Sequence, residues 1–294
     1  MKIDPKNTPV PELHGYLLGA VAPRPIAFAS TVDKQGNVNL SPFSFFNVFS
    51  ANPPIMIFSP ARRGRDKTTK HTCQNVNEHR EVVINVVSHS MVEQMSLSST
   101  EYEKGVNEFE KAGFAEATSE TVSPPRVKES PVSFECKVLE VRPLGDGGGA
   151  GNLVICEVLM IHIQDRILTD GKIDPNKIDL VGRMGGNWYS RASGNDIFEV
   201  AKPLVTKGIG VDQIPSNIRN STVLTGNNLG QLGNVEKLPS QEEIDEFATE
   251  AEVSSILDSL NDDHENRELE LHKLAAKHLA NGAVLAAWKI LLQA

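Results

Sequence analysis

Five basic side chains, Arg62, Arg63, Arg65, Lys67 and Lys70, fall within nine residues and are opposed there only by Asp66. Hydroxyls of Ser59, Thr68, Thr69 and Thr72 are interleaved with them. Guanidinium forks and hydroxyl donors both suit phosphate oxygens, so the stretch has the chemistry of a phosphate pocket. Taken alone it fits a solvated basic loop equally well. The segment Asn39-Leu40-Ser41-Pro42-Phe43-Ser44-Phe45-Phe46-Asn47 tips the balance. It supplies small polar groups, a proline and flat aromatics, the mixture that a planar ring on a phosphate tail requires.

Other chemistry is not declared. Gly145-Asp146-Gly147-Gly148-Gly149-Ala150 fits the G-x-G-x-x-A pattern, but a strand follows it where a dinucleotide fold needs a helix, so it reads as a glycine loop. Cys73, Cys136 and Cys156 are odd in number and lack metal spacing; the last two sit in apolar, strand-like text and read as core. The eight histidines show no metal spacing. His162 reads as a surface or rim residue, and His272 and His278, six apart in the last helical stretch, are expected to face solvent. No triad or catalytic side chain is assigned, and no metal.

The elements that must position these groups are mostly strands. Ile26 to Val32 runs into the turn text Asp33-Lys34-Gln35-Gly36-Asn37, which predicts a hairpin. Phe43 to Phe49 and Ile55 to Phe58, parted by Asn52-Pro53-Pro54, predict two more strands, and Val82 to Val87 another. Short helices are expected around Met91 to Leu97 and Asn107 to Ala112; sheet resumes at Phe134 to Val138 and Leu153 to Ile163. Hairpin-joined text of this kind predicts a mainly β barrel or sandwich with helical inserts.

After about residue 200 the character changes. Residues 201–239 read as an extended arm, polar but with Ile209, Val211, Ile214, Ile218, Val223 and Leu224 at intervals. Ser240-Gln241-Glu242-Glu243 has capping-box spacing, and residues 240–294 read as a C-terminal helical hairpin. Twelve acids and one base lie between Ser240 and Glu270, while the rest of the chain carries 28 bases and 26 acids within a net charge of -9. That balance argues against a nucleic-acid partner. No apolar run is long enough to span a membrane, and the N-terminus does not read as a signal peptide, so a cytoplasmic protein is expected.

Gly19-Ala20-Val21-Ala22-Pro23-Arg24-Pro25-Ile26, Gly36 to Phe46, Asn52-Pro53-Pro54-Ile55, Lys70-His71-Thr72, Asn85-Val86 and Gly182-Arg183-Met184-Gly185-Gly186 to Tyr189 resemble, in order and spacing, the flavin reductase-like, FMN-binding split-barrel family. The resemblance covers residues 1–200. It implies a six-stranded antiparallel Greek-key split β-barrel, a homodimer, and bound FMN with NADH or NADPH as co-substrate. By the same resemblance Arg24, Asn39, Leu40, Ser41, Pro42, Ser44, Phe45, Phe46 and Asn47 contact the flavin, while Ser59, Arg62, Arg63, Lys70 and Thr72 hold its phosphate. Arg183 and Tyr189 are candidates for the substrate. Two positions depart from the pattern: His71 stands where the family often has Asp, and Ala150-Gly151-Asn152-Leu153 lacks the histidine that NADH-using members carry before this strand. The implied function is NAD(P)H-dependent FMN reduction, with a flavoredoxin-like electron carrier or a non-enzymatic FMN-binding module as alternatives.

Overall fold

The computed structural model describes residues 1–294, and the chain divides into two units, Met1–Phe198 and Glu199–Ala294. The first opens with helix α1 (Val10–Ala20) and four strands, β1 (Ala27–Val32), β2 (Val38–Phe43), β3 (Phe46–Ala51) and β4 (Pro54–Phe58). The β1–β2 turn forms where its sequence demands it. Asp33 Oδ1 accepts from the Gln35 and Asn37 N–H groups, and Gly36 takes φ +84°. Helix α2 (His71–His79) leads into β5 (Glu81–Asn85), and α3 (Val92–Leu97) and α4 (Glu108–Ala112) follow. A short ladder of β6 (Glu116–Ala117) and β7 (Arg126–Val127) precedes the long strands β8 (Val132–Pro143) and β9 (Asn152–Ile163). The unit closes with the ladder β10 (Leu168–Thr169) and β11 (Lys172–Ile173), helix α5 (Pro175–Ile178), and the hairpin β12 (Leu180–Arg183) and β13 (Tyr189–Ala192).

Seven strands form one antiparallel sheet in the order β2-β1-β5-β8-β9-β4-β3. The resemblance implied a six-stranded Greek-key split β-barrel; the sheet here has seven strands and is not closed, with β2 and β3 at its edges. Only Ser44 and Phe45 separate these two strands in sequence. A two-residue link can join opposite edges only if the sheet curls almost onto itself. The β8–β9 register shifts twice, at Glu135/Cys136 and Val138/Glu140, as bulges that sharpen such a curl.

Strand β1 is buried along its whole length because both faces are covered. Ala27 and Ala29 turn inward to Phe43, Phe58, Ile84, Cys136 and Cys156, while Ile26 and Phe28 turn outward to Leu40, Met91, Met95 and Phe109. Burial pushes the Cys136 thiol up to about 12, so it behaves as core, like Cys156.

Glu135 of β8 is fully buried yet ionised. Its oxygens accept from the Glu120 and Thr121 N–H groups at 2.8 and 2.6 Å, from the Thr121 hydroxyl at 2.6 Å, and from His162 Nε2 of β9 at 2.6 Å. Burial opposes its charge, but these donors outweigh it and lower the carboxyl to about 2. The histidine read as a rim residue thus belongs to a clamp that ties Glu120 and Thr121 to the sheet.

The second unit is helical: α6 (Ser216–Arg219), α7 (Gly226–Gly233), α8 (Gln241–Phe247), α9 (Ala251–Ser259), α10 (His264–Ala280) and α11 (Val284–Leu291). The capping box at Ser240 forms as read, and Thr225 makes a second one with Asn228. Residues 240–294 make four helices where a hairpin was expected. Ile214, Ile218, Leu224 and Leu232, from the stretch read as an arm, are buried with Val253, Leu271, Leu279 and Trp288 in one core. His272 does not face solvent: it is 3% exposed, bonded through Nδ1 to Ser221 Oγ at 2.7 Å, and burial lowers its pKa.

Candidate functional site

The basic loop and the glycine loop read separately in the sequence are one structure. Arg62 N–H donates to Ala150 O at 2.8 Å, and Gly149 N–H to Arg62 O at 3.0 Å. Ala61 bridges Gly151, and Asn152 Nδ2 donates to Pro60 O at 2.9 Å. Glycine is required here for space as well as bending. A Cβ on Gly151 would lie 2.5 Å from Ser59 Oγ, and one on Gly148 2.8 Å from Gly64 O.

Within this frame the cations differ. Arg62 is spent on the Gly145 and Lys67 carbonyls. Arg63 donates to Thr68 Oγ1, to Thr69 O and to Glu101 Oε1. Lys70 is half-buried at the N-cap of α2, with its ammonium 5.4 Å from the centroid of the Phe43 ring. Burial pushes its pKa down; the field of Glu101 opposes this and that of Arg63 adds to it. The first N–H groups of α2 lie beside it, and a helix start adds partial positive charge. Ser59 follows β4, its N–H donating to Phe45 O at 2.8 Å, which brings the hydroxyl end of the site against residues 44–46.

The candidate ring contacts sort by what they touch. Ser41, Pro42, Ser44 and Phe46 are half-exposed, and Phe45 and Asn47 are exposed. Asn39 is buried: its Nδ2 donates to Glu108 Oε1 at 2.9 Å, and its Oδ1 accepts the Thr72 hydroxyl at 2.7 Å. Thr72 is thereby turned toward Asn39. Leu40 has its side chain in the core and its N–H on Glu108 Oε2 at 2.9 Å. Glu108 of α4, not singled out in the sequence, sets the orientation of Asn39. Burial raises its pKa, while the Leu40 N–H and Asn39 amide hold it back. The sequence signal was slight, an acid among several at 101–116.

Arg24 is also buried and points to backbone. Its Nη1 donates to Leu18 O and Val21 O, both at 2.6 Å, and its Nη2 to Met184 O at 2.9 Å. It caps the end of α1 and ties it to the β12–β13 turn, with Ser44 Oγ 3.4 Å from Nε. Arg183 stacks on Tyr189, guanidinium to ring centroid 4.6 Å. Both line a cleft of about 390 Å³ with His89, Glu93, Asn187 and Arg191. In that cleft Arg191 is held by Asp179 at 2.7 and 2.8 Å, whereas the Arg183 guanidinium hydrogen-bonds to the Trp188 carbonyl alone, at 3.5 Å. A further cleft, of about 570 Å³, lies away from both groups, between Val32–Val38 and residues 116–125.

The donor set suits a flavin mononucleotide. It offers hydroxyl and ammonium groups at one end, small polar residues and aromatics at the other, and a glycine turn with no room for side chains.

Comparison with known proteins agrees in extent. A protein of Halalkalibacterium halodurans is 38% identical over 209 residues, covering 70% of this chain and 99% of its own. Among solved structures, nitrilotriacetate monooxygenase component B from Bacillus cereus superposes with a TM-score of 0.64 at 29% identity, over 68% of this chain and 98% of that one. A split barrel domain protein from Shewanella frigidimarina gives a TM-score of 0.57 at 28% identity, over 69% and 99%. These proteins are matched almost end to end, so close to a third of the present chain has no counterpart in them. No helix of the chain is long and apolar enough to cross a membrane. The family described as flavin reductase like domain matches residues 19–174, more than half of the sequence, and the chain belongs to that family.

Proposed function

We propose that the protein binds FMN and is an NAD(P)H-dependent flavin reductase, with Ser59, Arg63 and Lys70 holding the phosphate and residues 41–47 lying along the ring and ribityl chain. One observation carries this reading: Lys70 is a half-buried cation over Phe43 with no carboxylate bonded to it, and a phosphate supplies the missing anion. Bound FMN supplies hydride or electron transfer, so the chain needs no catalytic acid, base or nucleophile of its own. Asn39, fixed by Glu108 and Thr72, presents a set orientation to the ring, and Arg24 acts through Ser44 and the backbone it gathers. Arg183, stacked but unpaired by any acid, is the group for a nicotinamide phosphate.

Absorption and turnover test the proposal together. Purified protein is expected to bind FMN and to oxidise NADH or NADPH in its presence. Flavin bands that survive desalting without any nicotinamide oxidation would favour a second reading, an electron carrier reduced by a protein partner. One feature supports that alternative: Asn152 opens β9 with its amide committed to Pro60 O, and no histidine is there to meet a nicotinamide.

Lys70→Ala and Arg63→Ala are each expected to weaken FMN binding by about 1.5 to 3 kcal/mol, the range for hydrogen bonds to charged groups. Riboflavin binding is expected to stay unchanged, and equal losses for both ligands would remove these residues from the phosphate.

A homodimer is proposed as well. Phe45, Val48 and Phe49 lie exposed beside the site, Phe49 at 64%, as does Leu17 of α1. Such surface suits cover by a second copy. Light scattering is expected to give twice the chain mass, and a monomer that binds FMN fully would refute this.

A further inference from the structure

The basic loop has an anion of its own. Glu101 lies beyond α3, in a stretch that is neither helix nor strand, and reaches back across the loop. One carboxylate oxygen accepts from Arg63 Nε at 3.1 Å, and the other is 2.8 Å from Arg65 Nη2. Arg63 is the more enclosed partner, its side chain 15% exposed, and its remaining bonds go to Thr68 and Thr69. The other acid nearby, Asp66, stays within the loop: its Oδ1 accepts from the Thr68 N–H and hydroxyl, and its Oδ2 lies 3.5 Å from Arg65 Nε. Glu101 is thus the acid that another segment brings to these arginines.

We propose that Glu101 is a displaceable counter-ion, which holds Arg63 and Arg65 until a phosphate monoester takes its place and so sets how tightly and how long a phosphorylated flavin is kept. The inference rests on reading this loop as the phosphate clamp. A guanidinium edge serves one acceptor at a time, and a phosphate monoester carries about -1.5 to -2 charge at pH 7, so carboxylate and phosphate compete for Arg63 and repel each other. The exchange is easy in packing terms, because the Glu101 side chain is 43% exposed and outside regular structure. The same field reaches Lys70, whose ammonium Glu101 favours and Arg63 disfavours.

Fluorescence titrations of wild type, Glu101→Gln, Glu101→Ala and Arg63→Ala with FMN and with riboflavin test the idea, with inorganic phosphate as competitor against FMN. Both Glu101 variants are expected to bind FMN about 2- to 5-fold more tightly, the worth of one partly exposed ion pair, and to release it more slowly. Riboflavin affinity stays as in wild type, and phosphate competes at lower concentration. If Arg63→Ala loses its preference for FMN over riboflavin while both Glu101 variants keep or weaken the wild-type FMN affinity, Glu101 is a brace for Arg63 and the counter-ion is refuted. If Arg63→Ala leaves the preference intact, the clamp itself is refuted and the counter-ion with it.

Discussion

Replacing Trp288 with alanine is expected to cost the second unit about 3 to 5 kcal/mol, the range for removing a buried tryptophan. Trp288 is 0% exposed, packs among Leu271, Leu279 and Leu291, and donates from Nε1 to Leu232 O at 3.0 Å. The substitution leaves a cavity and deprives a buried carbonyl of its partner, and the two losses add. Domains are stable by only about 5 to 15 kcal/mol, so a large part of the helical ellipticity should be lost at much lower urea concentration. Trp288→Phe keeps most of the volume and should fall between the two. An unchanged midpoint for Trp288→Ala would mean that this core does not hold the helices together.

Glu135→Gln is expected to destabilise the first unit by about 3 kcal/mol at pH 7, each unit of pKa shift being worth about 1.36 kcal/mol. The folded carboxyl lies at about 2 against an ordinary value of 4.5. A lowered pKa means that the unfolded chain binds the proton more readily. The stabilisation is therefore complete above 4.5 and disappears as pH falls toward about 2. Urea midpoints of wild type and variant should differ most near neutrality and converge in acid, and a gap that does not narrow would assign the loss to packing. Glutamine cannot accept from both the Glu120 and Thr121 N–H groups as the carboxylate does, which leaves a buried donor unpaired.

Strands were legible because their signal is local. The β-branched runs at 26–32, 55–58, 82–87 and 153–163 each carry enough apolar text to be read without knowing the partner strand. Helix α1 was not read from the sequence: Val10, Leu13, Leu17 and Leu18 fall at helical spacing, but Gly15 and Gly19 interrupt the segment, and none of its residues is buried. Residues 207–239 failed for a related reason. Their core side chains come one or two at a time from short helices among Gly and Asn, and their partners stand in α9 to α11. Spacing showed that His272 and His278 face different ways, but not which way is inward.

The site divides along the same line. The cationic loop and the aromatic segment were visible because each is a cluster in sequence. Glu101, Glu108 and Glu135 were not, because each is one acid among many whose partner lies far along the chain, 38 residues for Glu101 and Arg63 and 69 for Glu108 and Asn39. A carboxylate's role is set by the donors that surround it, and distant segments supply those donors.

The strand order also fixes when the first unit can become whole as the chain leaves the ribosome. Strand β4 has two partners, β3 beside it in sequence and β9, where Phe58 pairs with Val154. Until β8 and β9 are made, the inner edges of β4 and β5 have nothing to pair with and remain open to other chains. Pairing over such separations is slow, so the nascent protein passes through a long stretch of synthesis as an unfinished sheet. Chaperone demand should then peak before residue 163 is released and fall once the β8–β9 hairpin joins the two halves.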